Sequence, residues 1–331
     1  MNSTPIPHHT PDVDLIQDTS YRVCDCVLAT TFCACLIVGL PGNCLALTHF
    51  LQSKKRNLST LLYIVACSID LISSVIHLPV AISLLNSRQA GVMDNGVFCS
   101  VWYFILLSVQ LMSMYVVMLL SVSRAIVIVF PFYRVNKKAA LISIPVYFIY
   151  QAVWTGLSYL VSYNSYVTSV GFCQRVFSKE GLIKTLYHVN YNISTGFPPI
   201  LVLLSFLASV IKLRKNTDNP LIGSDDRENV SSRNNRNASW AIMYFAAVFL
   251  LCNSFTFVNT VLYTVSGVVY NDYPGQLYST TFMFFYSWPI SEILCTVLNA
   301  TLNPLLYFWR MSEVRLRVKS WGDRFFGSFG G

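Results

Sequence analysis

Two ionisable residues stand deep in apolar surroundings. Asp70 lies in LYIVACSIDLISSVIHLPVAI, and Arg124 is the first charge after Cys99 in CSVWYFILLSVQLMSMYVVMLLSVSRAIVIVFPFY. A carboxylate in hydrocarbon is costly, so Asp70 is expected to face the interior of a helix bundle, to have polar partners there, and to be functional. Acid–base hydrolysis is not open to it, because it has no second acid in register and His77 lies seven residues, two helical turns, farther on. No phosphate-cradling glycine loop, zinc-ligand spacing or helix with paired histidines is visible, so the chain does not read as an enzyme. A rise of about 1.5 Å per residue carries a helix from Cys99 to Arg124 across about 30 Å of bilayer hydrocarbon. The arginine therefore marks a membrane face, where it either snorkels to headgroups or acts.

The elements that must position these residues follow from composition. Of 331 residues, 54% are hydrophobic and 11% charged. A soluble domain carries about 25% charged residues, so lipid solvates most of this chain. Seven apolar segments, at Cys24–Leu51, Leu58–Leu85, Gly96–Val129, Ala139–Tyr163, Val189–Leu213, Ser239–Val265 and Leu277–Phe308, are each long enough to span. The fold class expected is an all-α membrane protein, a seven-transmembrane helix bundle. All but five of the 23 lysines and arginines (Arg22, Arg88, Arg175, Lys179 and Lys184) fall on one side of these spans. The positive-inside rule puts that side in the cytoplasm, the amino terminus outside and the carboxyl terminus inside. The net charge of +8 thus belongs to a membrane face, and nucleic acid is not an expected partner.

Residues 1–23 read as a flexible, acidic extracellular tail with a glycosylation sequon at Asn2. No signal peptide is visible there, so the first span is expected to direct its own insertion. Residues 24–308 form the spanning domain, and 309–331 an amphipathic helix on the inner leaflet with a short cytoplasmic tail. The stretch from Arg214 to Ala238 reads as a polar linker. Internal repeats with matching interrupted helices, the mark of a transporter, are not visible; a seven-helix transporter or channel is the alternative reading.

In order along the chain stand Gly42-Asn43, Asp70, Cys99, Ser123-Arg124, Pro131, Cys173, Pro198 and Asn303-Pro304-Leu305-Leu306-Tyr307. In register with seven spans, this set resembles the rhodopsin-like (class A) G-protein-coupled receptors, and the resemblance covers nearly the entire chain. It implies a plasma-membrane receptor that converts binding of an extracellular ligand into activation of a heterotrimeric G protein. It further implies a Cys99–Cys173 disulfide across the oxidising outer face. Asp70 would join Asn43, Ser113, Asn299 and Asn303 in a network resembling the family's sodium site, whose oxygen ligands suit a hard cation. A water-filled hydrogen-bond cluster is the alternative there. Pro304 removes a backbone bond from the seventh helix and makes a hinge. In the family, the counterpart of Tyr307 swings inward on activation.

Departures from the family pattern fall in the coupling machinery. Ser123 replaces the acid that clamps Arg124 at rest, and a neutral hydrogen bond is roughly half as strong as a charge-assisted one. In the sixth helix Asn253 and Phe255 replace the family's tryptophan and proline; Phe206 stands where a tyrosine is common, and Gln151 where the fourth helix usually has tryptophan. For the ligand, Val297 excludes a retinal Schiff base and Leu106 stands where an amine receptor has its aspartate. The ligand wall expected instead is neutral and aromatic: His77, Tyr103, Leu106, Gln110, His188, Tyr191, Asn259, Tyr263 and Tyr286, with Tyr187 and Asn190 beside them. Glu292 is the sole carboxylate of the upper seventh helix, read either as part of that wall or as an interfacial residue. The combination looks like invertebrate receptors of the FMRFamide-type neuropeptide group and related chemosensory sets. That implies a peptide or chemosensory small-molecule ligand.

Overall fold

A computed structural model of the chain describes residues 11–54, 57–78, 96–130, 132–133, 135–162, 182–218, 243–244, 246–254, 256, 288–310 and 316. Among them the regular structure is helical throughout: α1 (Pro11–Leu51), α2 (Leu58–Ile76), α3 (Gly96–Val129), α4 (Lys137–Ser162), α5 (Leu182–Asp218), α6 (246–254) and α7 (Trp288–Arg310). Five of these, α1 to α5, contain stretches long and apolar enough to cross a membrane.

Helix starts follow from side chains that complete the first turn. Asn57 caps α2, its Oδ1 accepting from the Thr60 amide and hydroxyl, both at 2.8 Å. Asn136 does the same for α4, accepting from the amides of Lys138 at 3.0 Å and Ala139 at 3.2 Å. Each bond from an amide satisfies a donor with no partner inside the helix.

The expected tail is corrected by α1, which begins at Pro11 and makes residues 11–23 helical rather than flexible. Proline suits a first helical position, aspartates such as Asp12 and Asp14 suit a first turn, and no breaker intervenes before Gly39. Helix α5 likewise exceeds its expected span at both ends, running from Leu182 to Asp218 into what reads as linker. The spans expected for α2, α6 and α7 extend beyond the described residues, as does the amphipathic helix after α7.

Helix α3 is the centre. It packs against α2, α4 and α5, while α1 packs against α2 and α7. In its apolar 18-residue stretch 67% of residues are buried, against 11% in that of α4, which is the periphery. The core it organises includes Leu111, Met114, Val116 and Leu120 of α3, Leu62 of α2, Val202 of α5 and Phe249 of α6. Apolar residues such as Ile142, Val146, Ile149, Val153, Ile200 and Ile211 are exposed on the outside of α4 and α5, a surface that lipid covers in a membrane protein.

Candidate functional site

The bundle has a polar centre. Asp70 is 1% exposed, and Asn303 Nδ2 donates to its Oδ2 at 2.7 Å, joining α2 to α7. Asn43 Nδ2 spends both protons on carbonyls, Gly39 at 3.0 Å and Ala300 at 2.9 Å, which joins α1 to α7. One turn away, the Thr301 hydroxyl lies 2.8 Å from the Val297 carbonyl and 3.0 Å from that of Cys35 on α1. The amide oxygens of Asn43, Asn299 and Asn303 are buried with no hydrogen-bond donor. Ser113 is half-buried on α3 and, like Asn299, makes no hydrogen bond to Asp70. The structure thus brings Asp70 and Asn303 together and leaves unpaired oxygens in the same layer of polar residues.

The close approach of α1 and α7 depends on two glycines. A Cβ at Gly42 would stand 2.9 Å from Pro304 Cβ and Cγ, and one at Gly39 would stand 2.9 Å from Thr301 Oγ1. Below this contact three rings interlock. Phe50 stacks on Tyr63 with centroids 5.0 Å apart, and Tyr307 meets both edge-on at 5.5 and 5.2 Å. Tyr307 is buried in this α1–α2–α7 cluster, and its phenol lies within reach of the Cys67 thiol. Phe50 and Tyr63 were not singled out from sequence, although each lies seven residues, two turns, from Asn43 and Asp70 respectively and so shares a face with it.

At the neighbouring end of α3, Arg124 is half-buried with its Nε unpartnered, and no ion pair to it exists among the described residues. The Ser123 hydroxyl donates to Leu120 O of its own helix at 2.9 Å, so it gives the guanidinium nothing. Asn253 of α6 also turns inward on its helix, Nδ2 donating to Phe249 O at 2.8 Å. Phe206 is half-buried against the core. Pro131 and Phe255 lie outside the described residues.

At the opposite end, Trp102 Nε1 donates to Ile76 O at 2.7 Å and pins α3 to the end of α2. His77 is buried there; its Nδ1 donates to Ser73 O, which leaves Nε2 as an acceptor with no partner. On α3, Leu106 and Gln110 are buried, and Ser108 Oγ is buried without a partner. Tyr191 is half-buried against the core. Asn190 departs from the expected wall, because its Oδ1 accepts from Tyr150 of α4. Tyr103, His188, Glu292 and Cys99 are placed by backbone alone, on α3, α5, α7 and α3. Asn2, Cys173, Asn259, Tyr263 and Tyr286 lie outside the described residues, and with them the expected disulfide and sequon. Cys26 of α1 is exposed and is a free thiol.

A helical bundle with a buried carboxylate at its centre, a helix carrying Asn-Pro-x-x-Tyr and an arginine at one end defines a class of membrane receptor. The family "7 transmembrane receptor (rhodopsin family)" matches residues 42–307, and the chain belongs to it. It is a receptor that signals through G proteins, and the transporter or channel reading is set aside. Relatives include proteinase-activated receptor 2 of Bos taurus, 21% identical over 88% of this chain and 71% of the relative, and of Homo sapiens, 22% identical over 86% and 68%. Among solved structures, squid rhodopsin superposes with a TM-score of 0.67 at 16% identity, covering 97% of this chain and 90% of the other.

Proposed function

We propose that this receptor sits in the plasma membrane with its amino terminus outside, takes an extracellular peptide at the end remote from Arg124, and activates a heterotrimeric G protein at the Arg124 end. The observation that carries the ligand class is the chemistry around α2 and α3 at the remote end. Leu106 offers no counter-charge to an amine, while His77 Nε2 and Ser108 Oγ are buried and unpartnered. Buried polar groups left without partners favour a ligand that supplies hydrogen-bonding groups of its own, and a peptide backbone carries a donor and an acceptor at almost every residue. The relatives named as proteinase-activated support the same class, since a proteinase acts on polypeptide.

Asp70 and the buried amide oxygens of Asn43, Asn299 and Asn303 fit a hard monovalent cation in chemistry, and Na⁺ bound there would favour the resting state. The test of the ligand reading is nucleotide exchange on a G protein by the receptor in reconstituted membranes, against a panel of peptides and water-borne odorants. At least one peptide is expected to stimulate exchange, with half-maximal concentration raised about tenfold or more by His77→Phe, the loss of one buried hydrogen bond. Stimulation by odorants alone would overturn the peptide class.

A further inference from the structure

Helix α5 contains two consecutive prolines, Pro198 and Pro199. Neither has an amide proton, so the carbonyls four residues earlier, of Ser194 and Thr195, lose their helical donors and the helix is weakest between them and the prolines. Helix α4 takes hold at this place. Gln151 Nε2 donates to Ser194 Oγ at 2.8 Å, and one turn above, the Tyr150 hydroxyl donates to Asn190 Oδ1. The grip is anchored in the centre of the bundle through a column of rings. Tyr147 of α4 stacks on Tyr115 of α3 at 4.0 Å and 10°, and Tyr150 follows at 6.3 Å. Gln151 is fully buried although α4 is the most peripheral span. Few apolar contacts can substitute for these bonds, since Val146, Ile149 and Val153 of α4 and Ile193, Ile200 and Leu204 of α5 are exposed. Beyond the hinge, α5 carries Phe206 and runs to the Arg124 end of the bundle, ending in Lys215 and Asp218.

We propose that Tyr150 and Gln151 are positioning residues that brace the double-proline hinge of α5 and thereby hold the resting conformation, with the hinge free to bend only when the brace is released. The inference goes beyond the ligand reading and holds whatever the ligand is. The conformation taken as resting is the one described, in which the Tyr307 ring packs edge-on against the stacked Phe50 and Tyr63 while both α4–α5 bonds are formed. A bond present at rest and lost on bending biases the equilibrium by its net strength, which for one ordinary hydrogen bond is about three- to tenfold.

The test uses full-length receptor in lipid nanodiscs with purified G protein and no ligand, exchange being normalised to the number of folded receptors. Tyr150→Phe and Gln151→Met, which keep ring and volume but lose the bond, are each expected to raise basal exchange about three- to tenfold. Ser194→Ala added to Gln151→Met is expected to add nothing, because the bond is already absent. Val153→Leu, on the exposed side of α4, is the control expected to stay at the wild-type rate. A second readout needs no G protein: a fluorinated phenylalanine at position 206 is expected to shift population between two ¹⁹F signals in the variants that lose the brace. Unchanged or lowered basal exchange in both single variants, additive effects of Gln151→Met and Ser194→Ala, or a ¹⁹F spectrum indifferent to them would overturn the brace. Absence of exchange by every variant and by wild type, with the ¹⁹F shift present, would count against G-protein coupling under these conditions and support the brace.

Discussion

Helix α7 is fastened to α1 by side-chain bonds to backbone carbonyls and by glycine contact, whereas the bonds of Tyr150 and Gln151 that join α4 to α5 run from side chain to side chain. On the α1–α7 side, Asn43 reaches the carbonyl of Ala300, Thr301 reaches that of Cys35, and Pro304 rests on the bare face of Gly42. A carbonyl cannot change rotamer, so on that seam one partner of each bond is fixed. On the α4–α5 side both partners of each bond, Tyr150 with Asn190 and Gln151 with Ser194, can rotate away. Gly156 of α4 has nothing within 4 Å of where a Cβ would stand. The difference assigns roles: α1 with the adjoining face of α7 is the fixed frame of the bundle, and the α4–α5 seam is the side able to yield.

The comparison breaks first at Gly42. Gly42→Val forces a branched side chain into Pro304 and is expected to lower stability by roughly 3 kcal/mol, read as a fall of several degrees in thermal melting in detergent and poor surface expression. A melting temperature equal to wild type would mean the seam is not tight. Asn303→Leu comes next, since it leaves the buried Asp70 carboxylate without its donor. A cost of about 2 kcal/mol is expected, and Asp70→Asn in the same chain should recover part of it by removing the charge. If Asp70→Asn makes Asn303→Leu worse, the hydrogen bond is not what holds α2 to α7.

The third comparison joins the fixed frame to the moving end. Among the described residues Arg124 has no counter-charge, and Ser123 is committed to Leu120. Ser123→Asp is expected to supply the missing clamp and lower ligand-free nucleotide exchange by up to about tenfold at matched surface expression. Equal basal rates would place the clamp elsewhere. The smallest effect belongs to the yielding side: Gly156→Ala should stabilise α4 by about 0.5–1 kcal/mol through helix propensity alone, seen as a slightly higher melting temperature, because the new methyl meets nothing.

Much of the frame was legible in sequence because it is written in rare residues. Asp70 and Asn303 announce themselves as polar groups in apolar runs, and the span Gly96–Val129 read from hydrophobicity coincides with α3 residue for residue. The extent of α1 was not legible. An apolar count marks only the part of a helix that lies in lipid, while capping and propensity carried this one back to Pro11. The tyrosine brace was hidden for another reason. Gln151 stood out only as a departure from a family pattern and Tyr150 not at all, and their partners, Ser194 and Asn190, lie some 40 residues away, beyond any local period. Asn190 was read as facing a ligand because its depth was right, but depth does not fix the direction in which a side chain points.

Cys26 gives the receptor a chemical handle. Its thiol is exposed and unbonded on α1, before the apolar stretch that starts at Ala29, so it stands at one rim of the bilayer. A maleimide too polar to cross membranes will therefore modify it on intact cells when that rim faces outward, and Cys26→Ser will remove the increment. The same site accepts a fluorophore without touching the polar centre or the inner ring cluster, so ligand arrival can be followed by quenching before any signal reaches the G protein.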